Sequence, residues 1–415
     1  MQEMRLMTRS TRICGVASIA VLVCFLCVPV FRTAVNTNMA SVFFTESRPA
    51  QLLRAKYDVV APSSKAIRIL LVAGHEPDFG GAVYHDRRER DMTVQLSQFL
   101  ASYLEQDARF EVLQTRDTDA WNPVLARYFE MHASETAAFY ADKKDEMARL
   151  IDLGLLQTVT GTPHMTARPD VARRLYAINQ WANEQDVDLV VNIHFNDTVR
   201  RDTTVPGQYS GFTVYVPERQ YSNSSSSRVV ADAVTRRLRT MAAVSDLKFE
   251  STGVIEDQEL ISIGRYNTLD ALGLLVEYGY LYERQFDAPE VRRVVLQEMA
   301  FETAAGIQDF FATPAVQHIP PATTLLPFTW DRELAPSKQP SLPVLSLQAA
   351  LHAEGYYPDA TSTLHNCPLS GYFDACTTAA LTHFQTDHAV TEELGILGTT
   401  TRSILNRKYG KQSTR

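Results

Sequence analysis

From residue 67 onward, short apolar runs alternate with longer stretches of helical periodicity, and this rhythm restricts the fold more than any other feature of the chain. Residues 67–72 are apolar except for Arg68 and lead into Gly74; residues 110–113, 189–195, 212–216 and 272–277 are runs of the same kind. Each has the length of a strand buried on both faces. Between them, residues 88–105 place Met92, Leu96, Phe99, Leu100 and Tyr103 on one helical stripe, and helices are expected over 170–185, 228–243 and 288–311. Strands alternating with helices predict an α/β fold built on a mostly parallel sheet flanked by helices. A hydrophobic share of 45% and a charged share of 21% exclude wholesale disorder. The formal net charge of -8 argues against a nucleic-acid partner. The five cysteines form no repeated CxxC pairs, so a metal site built on cysteine is not expected.

At 415 residues the chain exceeds one ordinary domain. Residues 13–31 carry no charged side chain and follow Arg5, Arg9 and Arg12. A helix of that length spans roughly 28 Å, enough for a bilayer core, and the basic flank predicts export of everything beyond it. We read residues 1–35 as an N-terminal signal anchor, in preference to a cleaved signal peptide, followed by a polar tether over 36–65. The catalytic unit is expected over 66–312, interrupted by an inserted segment at 118–167 with a helical stretch from about 125 to 156. That insertion is read either as a lid or inhibitory plug or as a surface hairpin. A proline-rich linker over 313–343 then leads to a small, mostly helical unit over 344–409. In an oxidising compartment Cys367 and Cys376, nine positions apart, are able to close a disulfide loop; two buried free thiols are the alternative.

Ligands of an open parallel sheet gather beyond the carboxyl ends of its strands. His75 follows the first apolar run, His194 lies at the end of another, and Glu277 closes a third. Glu89 opens the helix at 88–105, three residues before Met92 and so on its inward stripe, where the helix dipole favours a carboxylate. Two imidazoles and one carboxylate with an open fourth position suit a catalytic zinc ion, which lowers the pKa of its water to about 7. A second carboxylate, free of the metal, is then needed to move protons. This assigns His75, Glu89 and His194 as metal ligands and Glu277 as general base and acid. His85 is a weak substitute ligand, and the remaining histidines, His164 among them, have no strand-end context.

The segments GHEPDFGGA (74–82), RERDMTVQLSQFLASYLE (88–105), VLQTRD (112–117), DLVVNIHFND (188–197) and LLVEYGYL (274–281) together resemble the zinc-dependent N-acetylmuramoyl-L-alanine amidases of the Amidase_3 type. The resemblance runs from about residue 67 to 312, broken by the insertion. It implies zinc bound by His75, Glu89 and His194, with Glu277 catalytic, and a mostly parallel sheet between helices. Farther on, LQAALHAEGYY (347–357), GYFDACTTAALTHFQ (371–385) and GTTTRSIL (398–405) resemble the PG_binding_1 type of peptidoglycan-binding module, a three-helix unit. The implied activity is hydrolysis of the amide between N-acetylmuramic acid and L-alanine in peptidoglycan, outside the cytoplasmic membrane and at the cell wall. A zinc peptidase cutting elsewhere in the stem peptide and a non-catalytic wall-binding protein are the alternatives.

Overall fold

The computed structural model describes residues 46–59, 66–162, 164–198, 201–312, 323–391 and 393–411. The apolar run at 13–31 lies outside them, and no helix among the described residues is long and apolar enough to cross a membrane. The strands are β1 (Ile67–Ala73), β2 (Val83–Tyr84), β3 (Arg87–Arg88), β4 (Phe110–Gln114), β5 (Leu189–Asn196), β6 (Thr213–Pro217), β7 (Val254–Asp257) and β8 (Leu272–Tyr280). The helices are α1 (Ala50–Asp58), α2 (Glu89–Leu104), α3 (Pro123–Met131), α4 (Ala133–Asp152), α5 (Pro169–Glu184), α6 (Ser224–Leu238), α7 (Pro289–Phe311), α8 (Leu342–Ala353), α9 (Ala375–Asp387) and α10 (Thr399–Tyr409).

Six strands form one sheet in the order β4-β1-β5-β8-β6-β7. The first four run parallel, as the alternation predicts. The β6–β7 pair runs the other way, with β6 antiparallel to β8. The reason lies in the link from β5 to β6, which holds no helix among its described residues. A parallel return requires a crossover that is usually helical. One face of the sheet is covered by α1, α2, α6 and α7 through Ile69, Leu71, Met92, Leu96, Val230, Val234, Leu296 and Ile307. The other meets α3 and α5 through Leu70, Val72, Leu125, Tyr128, Ile178 and Trp181.

Three expectations need correction. Inside the stretch read as a polar tether, residues 50–58 form α1. Its Tyr57 ring lies 5.5 Å from Phe110 and 5.3 Å from Phe311, and Lys56 Nζ reaches the fully buried Asp188 at 2.5 Å. Only Leu53 and Tyr57 of this helix are buried, too few to print a stripe on the sequence. The insertion holds two helices where one stretch was expected, α3 and α4 meeting at His132 (φ -111°). Part of the proline-rich linker is packed rather than free: Leu325, Trp330 and Leu334 are buried, Trp330 exchanges backbone hydrogen bonds with the Asn406 side chain, and Leu334 pairs with Leu397.

The C-terminal unit is a three-helix cluster, and two motif glutamines organise it. Gln348 accepts from the Ser370 and Gly371 amides and donates to the Tyr372 carbonyl and Thr377; Gln385 does the same for Gly395, Glu393, Ile396 and Thr401. A buried amide with every bond satisfied fixes loop geometry more sharply than an apolar residue does. Cys367 and Cys376 are joined by a disulfide. Tyr57→Ala should cost about 3–5 kcal/mol in denaturant unfolding, because it empties a well-packed aromatic site; an unchanged midpoint would detach α1 from the core.

Candidate active site

The four residues singled out from strand ends converge at one place. β1 ends at Ala73, and the turn that follows carries His75 in the left-handed region (φ 69°). Such a conformation in a residue with a Cβ is strained, and persists only where its surroundings impose it. Here Gly80 and Gly81, both at positive φ, fold the GHEPDFGGA turn back over the histidine. A Cβ on Gly81 would come within 3.0 Å of the His75 ring and 3.1 Å of Glu89, and one on Gly74 would lie 2.5–2.8 Å from three atoms of the His194 ring. Glycine is therefore required at 74 and 81 because three side chains need that volume.

Glu89, the first residue of α2, is buried, and four polar neighbours meet its two oxygens. Oε2 accepts the Ala82 amide at 2.8 Å and lies 2.8 Å from His75 Nε2; Oε1 accepts the Phe195 amide at 3.0 Å and lies 3.1 Å from His194 Nδ1. The pairing of β5 with β8 shifts register between His194 and Asn196, and there the Phe195 amide turns to Glu89. Burial alone would raise the Glu89 carboxyl, but the charges of the two histidines and the hydrogen bond of His194 outweigh it and hold the group well below the usual range. Burial pushes the His194 imidazole down, toward the neutral form a metal ligand needs, and its hydrogen bond to the Glu89 carboxylate opposes this. Arg116 braces the site from behind, donating to the carbonyls of Ala73, Gly74 and Arg90.

Among the described residues, His75, Glu89 and His194 form the group of ligand-type side chains able to hold a metal ion, with donor atoms all within 4.8 Å of one another. One detail tests the fit. His75 Nε2 is buried and 2.8 Å from a carboxylate oxygen, yet makes no hydrogen bond. Two ligand-type atoms this close, with a second imidazole on the same carboxylate, are disposed to share a cation. The residues present fit a zinc ion. His85 stays outside the group, its amide bonded to Thr203 and its ring against Tyr84.

Glu277 on β8 is the register partner of His194 on β5 and of Thr213 on β6, so it rises beside the His194 side chain. Its Oε2 is buried without a partner. Burial, then the negative charges of Glu89 and Glu250, raise its carboxyl well above the ordinary value. Glu250 was not foreseen: it is buried and takes hydrogen bonds from Tyr215, Tyr280, Ser245 and Asn196. Asp257 was missed as well. It ends β7 and bonds His164 at 2.9 Å, whose ring meets Tyr215 edge-on. Through this contact the segment after α4 is strapped to the sheet face that carries Tyr215. Neither acid follows an apolar run that ends at the site, so no spacing signal announced them.

A mostly parallel α/β sheet with two histidines and two glutamates gathered beside its strand ends has the layout of a hydrolase. Residues 69–309 match the family model described as N-acetylmuramoyl-L-alanine amidase (Amidase_3), and the chain belongs to that family. It is accordingly an enzyme of the class that hydrolyses the amide between N-acetylmuramic acid and L-alanine in peptidoglycan. Residues 341–405 match the peptidoglycan binding domain model PG_binding_1. Among solved structures the chain is similar to the CwlD amidase of Clostridioides difficile, in complex with the GerS lipoprotein, at 16% identity over 59% of this chain and 97% of that one (TM-score 0.39). It is similar to the amidase Ami1 of Mycobacterium smegmatis at 15% identity over 60% and 99% (TM-score 0.40). A third is the catalytic domain of CwlV from Bacillus (Paenibacillus) polymyxa var. colistinus, at 18% identity over 59% and 97% (TM-score 0.35). No curated protein matches the chain.

Gly74→Ala should lower zinc content by at least about tenfold, in the range that lost support for a metal ligand costs, while the melting transition remains cooperative. Full zinc loading of that variant would show that the His194 ring has room to spare.

Proposed function

We propose that His75, Glu89 and His194 hold a zinc ion, and that Glu277 moves the protons in hydrolysis of the lactyl–L-alanine amide of peptidoglycan. The observation that carries this reading is the Glu89 carboxylate set between two imidazoles, with His75 Nε2 2.8 Å away and outside any hydrogen bond. Bound there, the ion would supply Lewis acidity toward the amide carbonyl and acidify a coordinated water.

The chain's own groups do the rest. Glu89 is held by two backbone amides, so its oxygens keep their direction whether or not the histidines move. Glu277, one strand away from His194 and raised by burial and by two negative neighbours, is suited to take a proton from the attacking water and return it to the leaving amine. The peptidoglycan-binding match at 341–405 supports a wall substrate, since a tethered catalyst meets an insoluble polymer at raised effective concentration. Such a substrate places the working protein outside the cytoplasmic membrane. The apolar run at 13–31 and its arginine flank support an N-terminal signal anchor in that membrane; this support is from sequence alone. In the same reading the units are the anchor, the amidase body with its insertion, and the C-terminal wall-binding unit.

Glu277→Ala should keep its zinc while hydrolysis of purified peptidoglycan falls by about 10²–10⁴-fold, the size of a general acid–base contribution. Lost zinc would make Glu277 a ligand instead. Mass spectrometry of the wild-type digest should reveal peptides with free L-alanine amino termini; cleavage at another stem-peptide bond would replace the amidase reading with a peptidase.

A further inference from the structure

The C-terminal unit touches the catalytic unit through a chain of polar contacts that ends beside the active site. Tyr372, in the loop before α9, donates its hydroxyl to Asp287 Oδ2 at 2.9 Å. The Arg284 guanidinium lies 4.2 Å above the Tyr372 ring and bonds Asp374, the residue whose side chain caps α9. The other Asp287 oxygen takes Arg87 Nη2 at 2.8 Å. Arg87 is buried in β3, two residues before Glu89. Its Nη1 donates to the carbonyls of Leu281 and Glu283 at 3.1 and 3.3 Å, just past the end of β8 and a few residues beyond Glu277.

Arg87 thus joins the segment that delivers Glu89 to the strand that delivers Glu277, and Asp287, its carboxylate partner among the described residues, is shared with Tyr372. Both terminal nitrogens of the buried Arg87 guanidinium are bonded, while its Nε has no partner, so its geometry depends on those few bonds. If the tyrosine leaves, Asp287 is freed toward water and its grip on Arg87 weakens. We propose that Tyr372, Asp287 and Arg87 form a positioning bridge through which docking of the C-terminal unit sets the placement of Glu89 and Glu277, so that this unit tunes the reaction as well as holding the wall. The proposal rests on the functional reading above. Two further contacts, Ser210 with His365 at 2.8 Å and Arg284 with Asp374 at 2.8 Å, keep the unit docked when the tyrosine hydroxyl alone is removed.

The test uses the full chain loaded with zinc and a soluble muropeptide. Tyr372→Phe should lower kcat and zinc affinity by about 3–10-fold, the size of a modest coupling between sites. KM for the muropeptide, sedimentation with insoluble peptidoglycan and the melting temperature should stay as in the wild type. Tyr356→Phe, which removes a hydroxyl bonded to Asp387 elsewhere in the same unit, serves as control and should change nothing. Asp287→Asn should act on the same two quantities, and the double variant should be no worse than the worse single one, as members of one chain of contacts behave. Unchanged kcat and zinc affinity in Tyr372→Phe, a loss confined to wall binding, or multiplicative losses in the double variant would overturn the bridge. Should Asp287→Asn fail to fold, Tyr372→Phe carries the test by itself. A wild-type chain that binds zinc but releases no L-alanine amino termini would overturn the functional reading instead, and the bridge would then stand or fall on zinc affinity.

Discussion

Glu89 is a carboxylate taken out of water, and a charge so placed must be met by partners at close range. Two backbone amides and two imidazoles meet it, from the turn after β1, the glycine pair at 80–81 and the kinked end of β5. Much of the local architecture follows from that requirement. The helix begins at Glu89, where its unpaired amides and dipole favour a negative charge. The strained φ of His75 and the glycines at 74 and 81 are the steric consequence of bringing two rings against one small carboxyl group.

Opposite environments divide the labour between the two acids. Glu89 is surrounded by donors and kept ionised; Glu277 is buried beside Glu89 and Glu250 with an oxygen left unpartnered, and its carboxyl is raised. In the function proposed above, a pair of acids driven apart in this way would supply one fixed ligand and one proton carrier from the same residue type. Glu250 contributes from a distance: four donors hold it in place, and its charge bears on Glu277.

Much of this was legible before any coordinate. The buried strands printed continuous apolar runs, and three ionisable residues terminating such runs were enough to select His75, His194 and Glu277; the helical stripe added Glu89. The motif glutamines of the C-terminal unit were legible as a family pattern, although their task, satisfying loop amides within a small core, was not. What stayed hidden has a common cause. Helix α1 buries only two side chains, so its docking onto Phe110 and Phe311 left no periodic trace. The reversal of β6 and β7 depends on how a helix-free link crosses the sheet, which residue types do not encode.

Sequence by itself therefore determined the layered α/β plan, the four side chains that the fold brings together and the family to which the chain belongs, because buried strands and strand-end charges obey local rules of period and solvation. Only the tertiary structure decided that His75 Nε2 faces Glu89 without a hydrogen bond, that Glu250 bears on Glu277, and that Tyr372 reaches Arg87 through Asp287. These pairings join residues separated by tens to hundreds of positions. They arise from packing whole elements against one another, and packing is a property of the assembled chain that no local pattern contains.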